Sequence, residues 1–378
     1  MKPLTRRQFL LSMIAGASAM AVTACEHKKP ANPLATATRI SVVKSLSPTY
    51  IPTTNPESVP TPTRVFQATK PDGSSLQQGS TETIAQIVTP VPTSTDTFPA
   101  TAITPMGSPD LVVARGGDDP EALVRRAIAA MGGMEQFVSK GAKVVVKPNI
   151  CTAYHSYEYA STTNPWVVGA LVKMCLEAGA GNVTVMDYPF GGSAEEAYAI
   201  SGIKEQVEAA GGKMAVMSSL KFIETQIPKG EKIKKWPIYE DVMTADVLIN
   251  VPIAKDHGLA RLTLGMKNLM GVVQNREGLH SSIGQRLADL TSRVYPTLTV
   301  IDSIRMLLYG GPTGGDLNAV KKIDTIIASR DIVAADSYTA TLFMMQPDEL
   351  SYVKAGVEMG LGRSDLQNLR VEEITVGG

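Results

Sequence analysis

The sequence predicts an α/β fold: a mainly parallel sheet flanked by helices, with room for a smaller subdomain, preceded by a disordered Pro/Thr/Ser-rich stalk. Three observations lead there. Four apolar runs, AKVVVKPN from Ala142, NVTVMD to Asp187, DVLIN to Asn250 and TLTVID to Asp302, have the length and β-branched content of buried strands. Helical segments alternate with them, an order that gives a parallel sheet covered on both faces. Prolines stand where first-turn prolines belong, at Pro120 and Pro165, and Gly179 and Gly211 stand where helices stop.

Taken in order, the chain divides into residues 1–25, 26–109 and 110–378. Thr5-Arg6-Arg7-Gln8-Phe9-Leu10, followed by the small apolar segment Leu11 to Ala24, reads as a twin-arginine export signal, too short for a bilayer span of roughly 20 residues. Val22-Thr23-Ala24-Cys25 resembles a bacterial lipobox, with Cys25 the residue to be lipidated. Acyl chains there would hold the protein at the outer face of the cytoplasmic membrane. Residues 26–109 are rich in Pro, Thr, Ser and Ala and hold 13 of the 24 prolines. Such a composition buries too little apolar surface to offset its ordering entropy, so the segment is a stalk.

From residue 110 the expected strands lie near 111–115, 143–147, 183–187, 214–217, 246–251, 298–302, 323–328 and 370–376. The expected helices are Pro120 to Met131, Pro165 to Ala178, Ala194 to Ala210, Ser282 to Tyr295 and Ile332 to Met345. Lys+Arg and Asp+Glu balance at 36 each, and aromatic residues make up 5%. With no basic stripe interleaved with aromatics, nothing in the chain recruits nucleic acid.

Function points to the stretch from Asp246 to His280, where Lys255, Asp256, His257, Lys267, Asn268 and His280 crowd around a short apolar run and two of the four histidines sit. Ligands of open α/β sheets bind past the carboxyl ends of the strands. If the four strands are parallel neighbours, Lys147, Asn149, Asp187, Asn250 and Asp302 converge on the same edge with Asn268, as ligand-binding groups. Histidine moves protons or binds metals near neutral pH, and a lysine against apolar walls acts as base or nucleophile. His257, Lys255 and Lys267 are therefore the candidate catalytic residues and His280 a candidate metal ligand, in a site suited to a divalent metal. Gly310-Gly311-Pro312-Thr313-Gly314-Gly315 offers backbone N–H groups to a phosphate or carboxylate, or is simply a turn. Cys151 and Cys175 are a candidate pair in an oxidising compartment, with a buried inert thiol as the other reading of Cys175.

Lys147-Pro148-Asn149, Thr163-Asn164-Pro165, Ser201-Gly202, Asp246 to Pro252, Lys255 with His257, Lys267-Asn268 with Gly271, His280, Asp302 and Gly311-Pro312 together resemble the DUF362 family of uncharacterised proteins, along essentially the whole chain after the stalk. Many members carry a ferredoxin-like cysteine cluster; this chain has no CxxC, so the resemblance implies no iron–sulfur cluster here. The order His257, Lys267, His280 is also similar to that of lactate-racemase-like proteins, in which the lysine holds a nickel-pincer nucleotide and the later histidine ligates the metal. The departures are Gly265-Met266 in place of a glycine pair, a shorter second spacing, and an upstream acid/base histidine matched only by His155. Two function classes follow: a membrane-tethered enzyme doing acid/base chemistry on a small polar or carboxylated molecule, and a tethered solute-binding protein using the same cleft without catalysis. The missing cluster cysteines weaken a third, an electron-transfer accessory.

Overall fold

A computed structural model describes residues 107–377, so the export signal, Cys25 and nearly all of the stalk lie outside the described residues. Among the described residues twelve strands run in chain order: β1 Leu111–Arg115, β2 Lys143–Pro148, β3 Asn182–Val185, β4 Lys213–Met214, β5 Phe222–Gln226, β6 Lys235–Tyr239, β7 Val247–Val251, β8 Ile253–His257, β9 Arg261–Thr263, β10 Leu298–Leu307, β11 Val320–Ser329 and β12 Val371–Thr375. Ten of them form one sheet in the order β12-β1-β11-β10-β7-β2-β3-β4, with β8 on β10 and β9 on β8. Pairing is parallel from β10 through β7, β2 and β3 to β4, and between β1 and β12; β11 runs antiparallel to both β10 and β1. The mainly parallel α/β sheet is thus as expected.

Strand residues of alternate parity feed two apolar clusters, one on each face. Val144, Val146, Ile249 and Val251 pack into one with the helix Pro165–Glu177; Val145, Leu248 and Ile301 pack into the other. Because side chains alternate along a strand, Lys147 and Asn250 emerge on the same face as Val145 and Leu248. Helix entries follow the chemistry of their caps. Asp119 accepts Glu121 N at 2.9 Å, and Asn164 accepts Trp166 N at 3.0 Å, each just ahead of a first-turn proline.

Several elements differ from expectation. The segment 194–210 is two helices, Ala194–Ile200 and Ile203–Ala209, broken where Gly202 takes φ 73°. The run expected to close at Asp302 continues to Leu307, because β8, restarting after Pro252, supplies β10 with a second parallel partner. The β8–β9 hairpin, the helix Ser351–Glu358 and the two-stranded β5–β6 sheet were not expected. That β5–β6 hairpin takes the place left for a smaller subdomain. Its turn is fastened by the buried Asp289 carboxylate, which accepts the backbone N–H groups of Glu231, Lys232 and Ile233 at 2.7 to 2.9 Å. Among the described residues no helix is long and apolar enough to cross a membrane.

Candidate active site

A cleft of about 970 Å³ opens past the carboxyl ends of β2, β3 and β7. Its lining contains eight of the ten candidate site residues that fall within the described chain: Lys147, Asn149, Asp187, Lys255, His257, Lys267, Asn268 and His280. Asn250 and Asp302, expected among the ligand-binding groups, do not line it. Asn250 is fully buried behind the cleft; its Nδ2 donates to Gly265 O at 3.0 Å and its Oδ1 accepts from Asn268 Nδ2 at 2.8 Å. Asp302, buried inside a strand that runs on past it, accepts Asn164 N at 2.7 Å and Ile304 N at 3.0 Å. It ties the start of the helix Pro165–Glu177 to the sheet, and burial pushes its carboxyl up to about 6.

The floor is a chain of linked polar groups in which both lysines have every donor placed. Lys147 Nζ pairs with Asp187 Oδ1 at 2.8 Å and donates to Asn268 Oδ1 and Pro148 O, both at 2.8 Å. Asn268 Oδ1 also accepts Asn149 Nδ2 at 2.9 Å, and Asn149 Oδ1 accepts Lys255 Nζ at 2.9 Å. Lys255 completes its three donors on Ser161 O at 2.7 Å and Pro312 O at 3.0 Å. Burial lowers the Lys147 amine and the Asp187 charge works against that shift. Gly271 explains the glycine after Lys267-Asn268: a Cβ there would collide with Asp187 Oδ1 and Lys147 Nζ.

Lys255 and His257, two apart on β8, project from one face of that strand, while Asp256 faces away and accepts Gly311 N at 2.9 Å. His257 Nδ1 accepts the backbone N–H groups of Leu259 and Ala260, both at 3.2 Å, so its proton sits on Nε2. Burial, then the charges of Lys267 and Lys255, hold this imidazole down at about 3. It is neutral, and what it presents is a donor. The His280 ring lies 6.4 Å from it, near parallel, and burial lowers its basicity as well.

Lys267 is the exception to this saturation. It sits on the short helix Gly265–Asn268, whose first N–H groups, Gly265 N and Met266 N, are capped by the fully buried Asp336 at 2.6 and 2.9 Å. Its amine forms no hydrogen bond or ion pair with any described residue, and burial followed by the Lys255 charge brings it down to about 7. Arg276 was missed by sequence reasoning, where a lone arginine between Asn275 and Glu277 carries no motif. Its Nη1 and Nη2 donate to Tyr188 O at 2.6 Å and Pro189 O at 3.3 Å, and its guanidinium lies 4.9 Å from the Tyr188 ring centroid. Tyr188, Phe190 and Trp236 add an aromatic wall, also unanticipated.

The other expectations resolve by position. The Gly310–Gly315 segment turns a carbonyl, Pro312 O, toward Lys255 and Cys151 Sγ, and its Gly311 N–H is taken by Asp256, so at these positions it is no N–H cradle. Cys151 and Cys175 are both free thiols; Cys175 is buried in its helix, which pushes the thiol up to about 12. His155 stacks on Tyr159 at 4.7 Å and does not line the cleft. Among the described residues no three His, Cys, Asp or Glu side chains converge as a metal site, so a divalent ion held by protein ligands alone does not fit. What the cleft offers a nickel-pincer-like nucleotide is Lys267 as holding amine and His280 as a single imidazole donor.

Fold and cleft together define an α/β protein with a cleft rich in lysine and arginine at the strand ends. The chain belongs to the DUF362 family, described as a domain of unknown function, whose model matches residues 144–341. It is 28% identical over 255 residues to the thylakoid-associated protein sll1697 of Synechocystis, covering 64% of this chain and 75% of that one. Among solved structures it is similar to the lactate racemase apoprotein of Thermoanaerobacterium thermosaccharolyticum, at 14% identity and a TM-score of 0.39, covering 65% of this chain and 56% of that one. A Thermotoga maritima protein matches at 10% identity with a TM-score of 0.31, covering 66% and 60%. The chain thus spans little more than half the length of these structures.

Proposed function

We propose that the cleft binds a small carboxylated molecule and performs acid/base chemistry on it, with Lys267 as the group that gains and loses a proton. The observation that supports this most is the allocation of charge. Lys147, Lys255, Lys267 and Arg276 face Asp187 and Glu277; Asp187 is spent on Lys147, and Lys267 has no partner among the described residues. An anion entering the cleft meets uncompensated positive charge, a guanidinium with N–H donors to spare, and an amine that is partly neutral at pH 7. Lys147, Asn149, Asn268 and Lys255 hold the floor rigid. His257 contributes its Nε2–H to an oxygen of the bound molecule.

The test is solvent exchange. Purified protein is incubated in D2O with a panel of small carboxylates, and deuterium at carbon next to the carboxyl group is followed by NMR. Incorporation that vanishes in Lys267→Met supports catalysis. Saturable binding with no incorporation for any member of the panel moves the protein to the second reading, a solute-binding protein. That reading draws support from the saturated floor and from the weak basicity of His257.

The twin-arginine signal and the lipobox support export and anchoring through Cys25. The curated relative's name, thylakoid-associated, is in keeping with a membrane location. Cys25→Ser should move the exported protein from the membrane fraction to the soluble one; retention in the membrane would argue against the lipid anchor.

A further inference from the structure

We propose that Lys267 condenses with the carbonyl group of a 2-oxo carboxylate to form an imine, the carboxylate end being held by Arg276. This deepens the carboxylate-binding reading and rests on it. Three features of the cleft support it. Lys267 is 9% exposed and has no hydrogen-bond or ion-pair partner among the described residues, so nothing on the protein must be displaced before its nitrogen attacks. Arg276 has its guanidinium fixed by two carbonyls and by the Tyr188 ring, which leaves N–H donors directed elsewhere for a carboxylate. Burial, followed by the neighbouring cations with Lys255 first among them, disfavours a positive charge on Lys267, the circumstance in which a lysine becomes a nucleophile.

The step balances without an oxidant or reductant. The nitrogen lone pair forms the C–N bond as the carbonyl π pair moves to oxygen, and that oxygen takes up the proton the nitrogen gives up, by way of solvent. A second proton transfer expels the oxygen as water and leaves C=N, so amine plus carbonyl gives imine plus water. His257, fixed by two backbone N–H groups as the Nε2–H tautomer, offers a hydrogen bond to that oxygen and is too weak a base to compete for the proton. The imine then draws electrons from C3, so that a proton on that carbon, the neighbour of the carbon bearing the carboxylate, becomes acidic.

The test uses the full chain with pyruvate and sodium cyanoborohydride, followed by peptide mass mapping. Reduced adduct should accumulate on Lys267 on the order of a hundredfold faster than on exposed lysines, whose ordinary pKa near 10.4 keeps them protonated at neutral pH. It should rise with pH through about 7 and then level off. It should be absent in Lys267→Arg, and Arg276→Gln should raise the pyruvate concentration needed for half-maximal labelling. Adduct spread evenly over surface lysines, or unchanged labelling in Arg276→Gln, overturns the proposal. Calorimetric titration with propionate, which has a carboxylate and no carbonyl, separates the two levels. If propionate binds and pyruvate leaves no adduct, the imine is wrong and the carboxylate site stands; if neither binds, both fall.

Discussion

Lys267→Met asks whether the cleft holds an amine against its own preference for charge. The wild-type side chain is pushed from 10.5 to about 7, chiefly by burial. A shift of that size corresponds to a penalty on the order of 5 kcal/mol on the charged form. Below pH 7 the amine is protonated in both folded and unfolded chains, and the folded state carries the whole penalty. Between about 7 and 10.5 the folded amine is neutral while the unfolded one still binds a proton, so wild-type stability climbs with pH across that window. Methionine has no proton to bind and removes this dependence. Thermal unfolding of both proteins at pH 6 and pH 10 should therefore show the variant more stable at pH 6, by roughly 10 °C given ~2–4 °C per kcal/mol for domains near this size. Most of that gap should close at pH 10. An equal gap at the two pH values would mean that Lys267 is not held in a poorly solvated, positively charged setting, and the functional reading built on it would fail.

Three further perturbations test the frame around the site. Gly271→Ala drives a methyl group onto the Lys147–Asp187 pair and should cost about 3–5 kcal/mol in urea unfolding, the range for disrupting a buried ion pair; a change below about 1 kcal/mol would mean the loop shifts freely. Asp289→Ala strips the acceptor from three backbone N–H groups and should lose about 2–4 kcal/mol. Its amide exchange should accelerate at residues 231–233 and stay unchanged in β2 and β7. Asp302, raised to about 6, stays protonated in the folded chain after the unfolded carboxyl has ionised near 3.8. Wild-type stability should therefore decline by up to about 3 kcal/mol as pH rises from 4 to 6, and Asp302→Asn should flatten that limb of the pH–stability curve.

How much of this was legible in the sequence depended on what each residue answers to. β2, β3 and β7 were readable because both faces of a parallel central strand are buried, and Val144 to Val146 or Val247 to Ile249 leave little else to predict. β8 and β9 were not readable: Lys255, Asp256 and His257 have no strand-like alternation of their own. They are extended because β10 offers them a partner, which is a tertiary cause. The site followed the same division. Positions just past strand ends in one crowded segment were found from order alone. Asn250 and Asp302 share the signature of a strand closing on a polar residue, yet burial behind the cleft turns them into scaffold. Arg276 and Trp236 reach the cleft by the folding of the loop after the 269–272 turn and of the β5–β6 hairpin, and nothing local announces either, while Tyr188 directly follows Asp187 past the end of β3.

The unpartnered lysine and the saturated floor have one cause. The cleft is rich in cations and poor in acceptors, and its acceptors are allotted unevenly: Lys147 takes Asp187, Asn268 and Pro148, while Lys255 takes Asn149, Ser161 and Pro312. These two lysines have every donor bonded, and the third, on which their charges act, has no partner among the described residues. Lys147 and Lys255 are poorly placed for direct chemistry because each amine already has three partners. In the proposed reaction a carboxylate held by Arg276, away from the Lys267 nitrogen, would offset part of this positive field, while the Lys267 amine, brought down to about 7, would keep a neutral fraction for attack on the carbonyl.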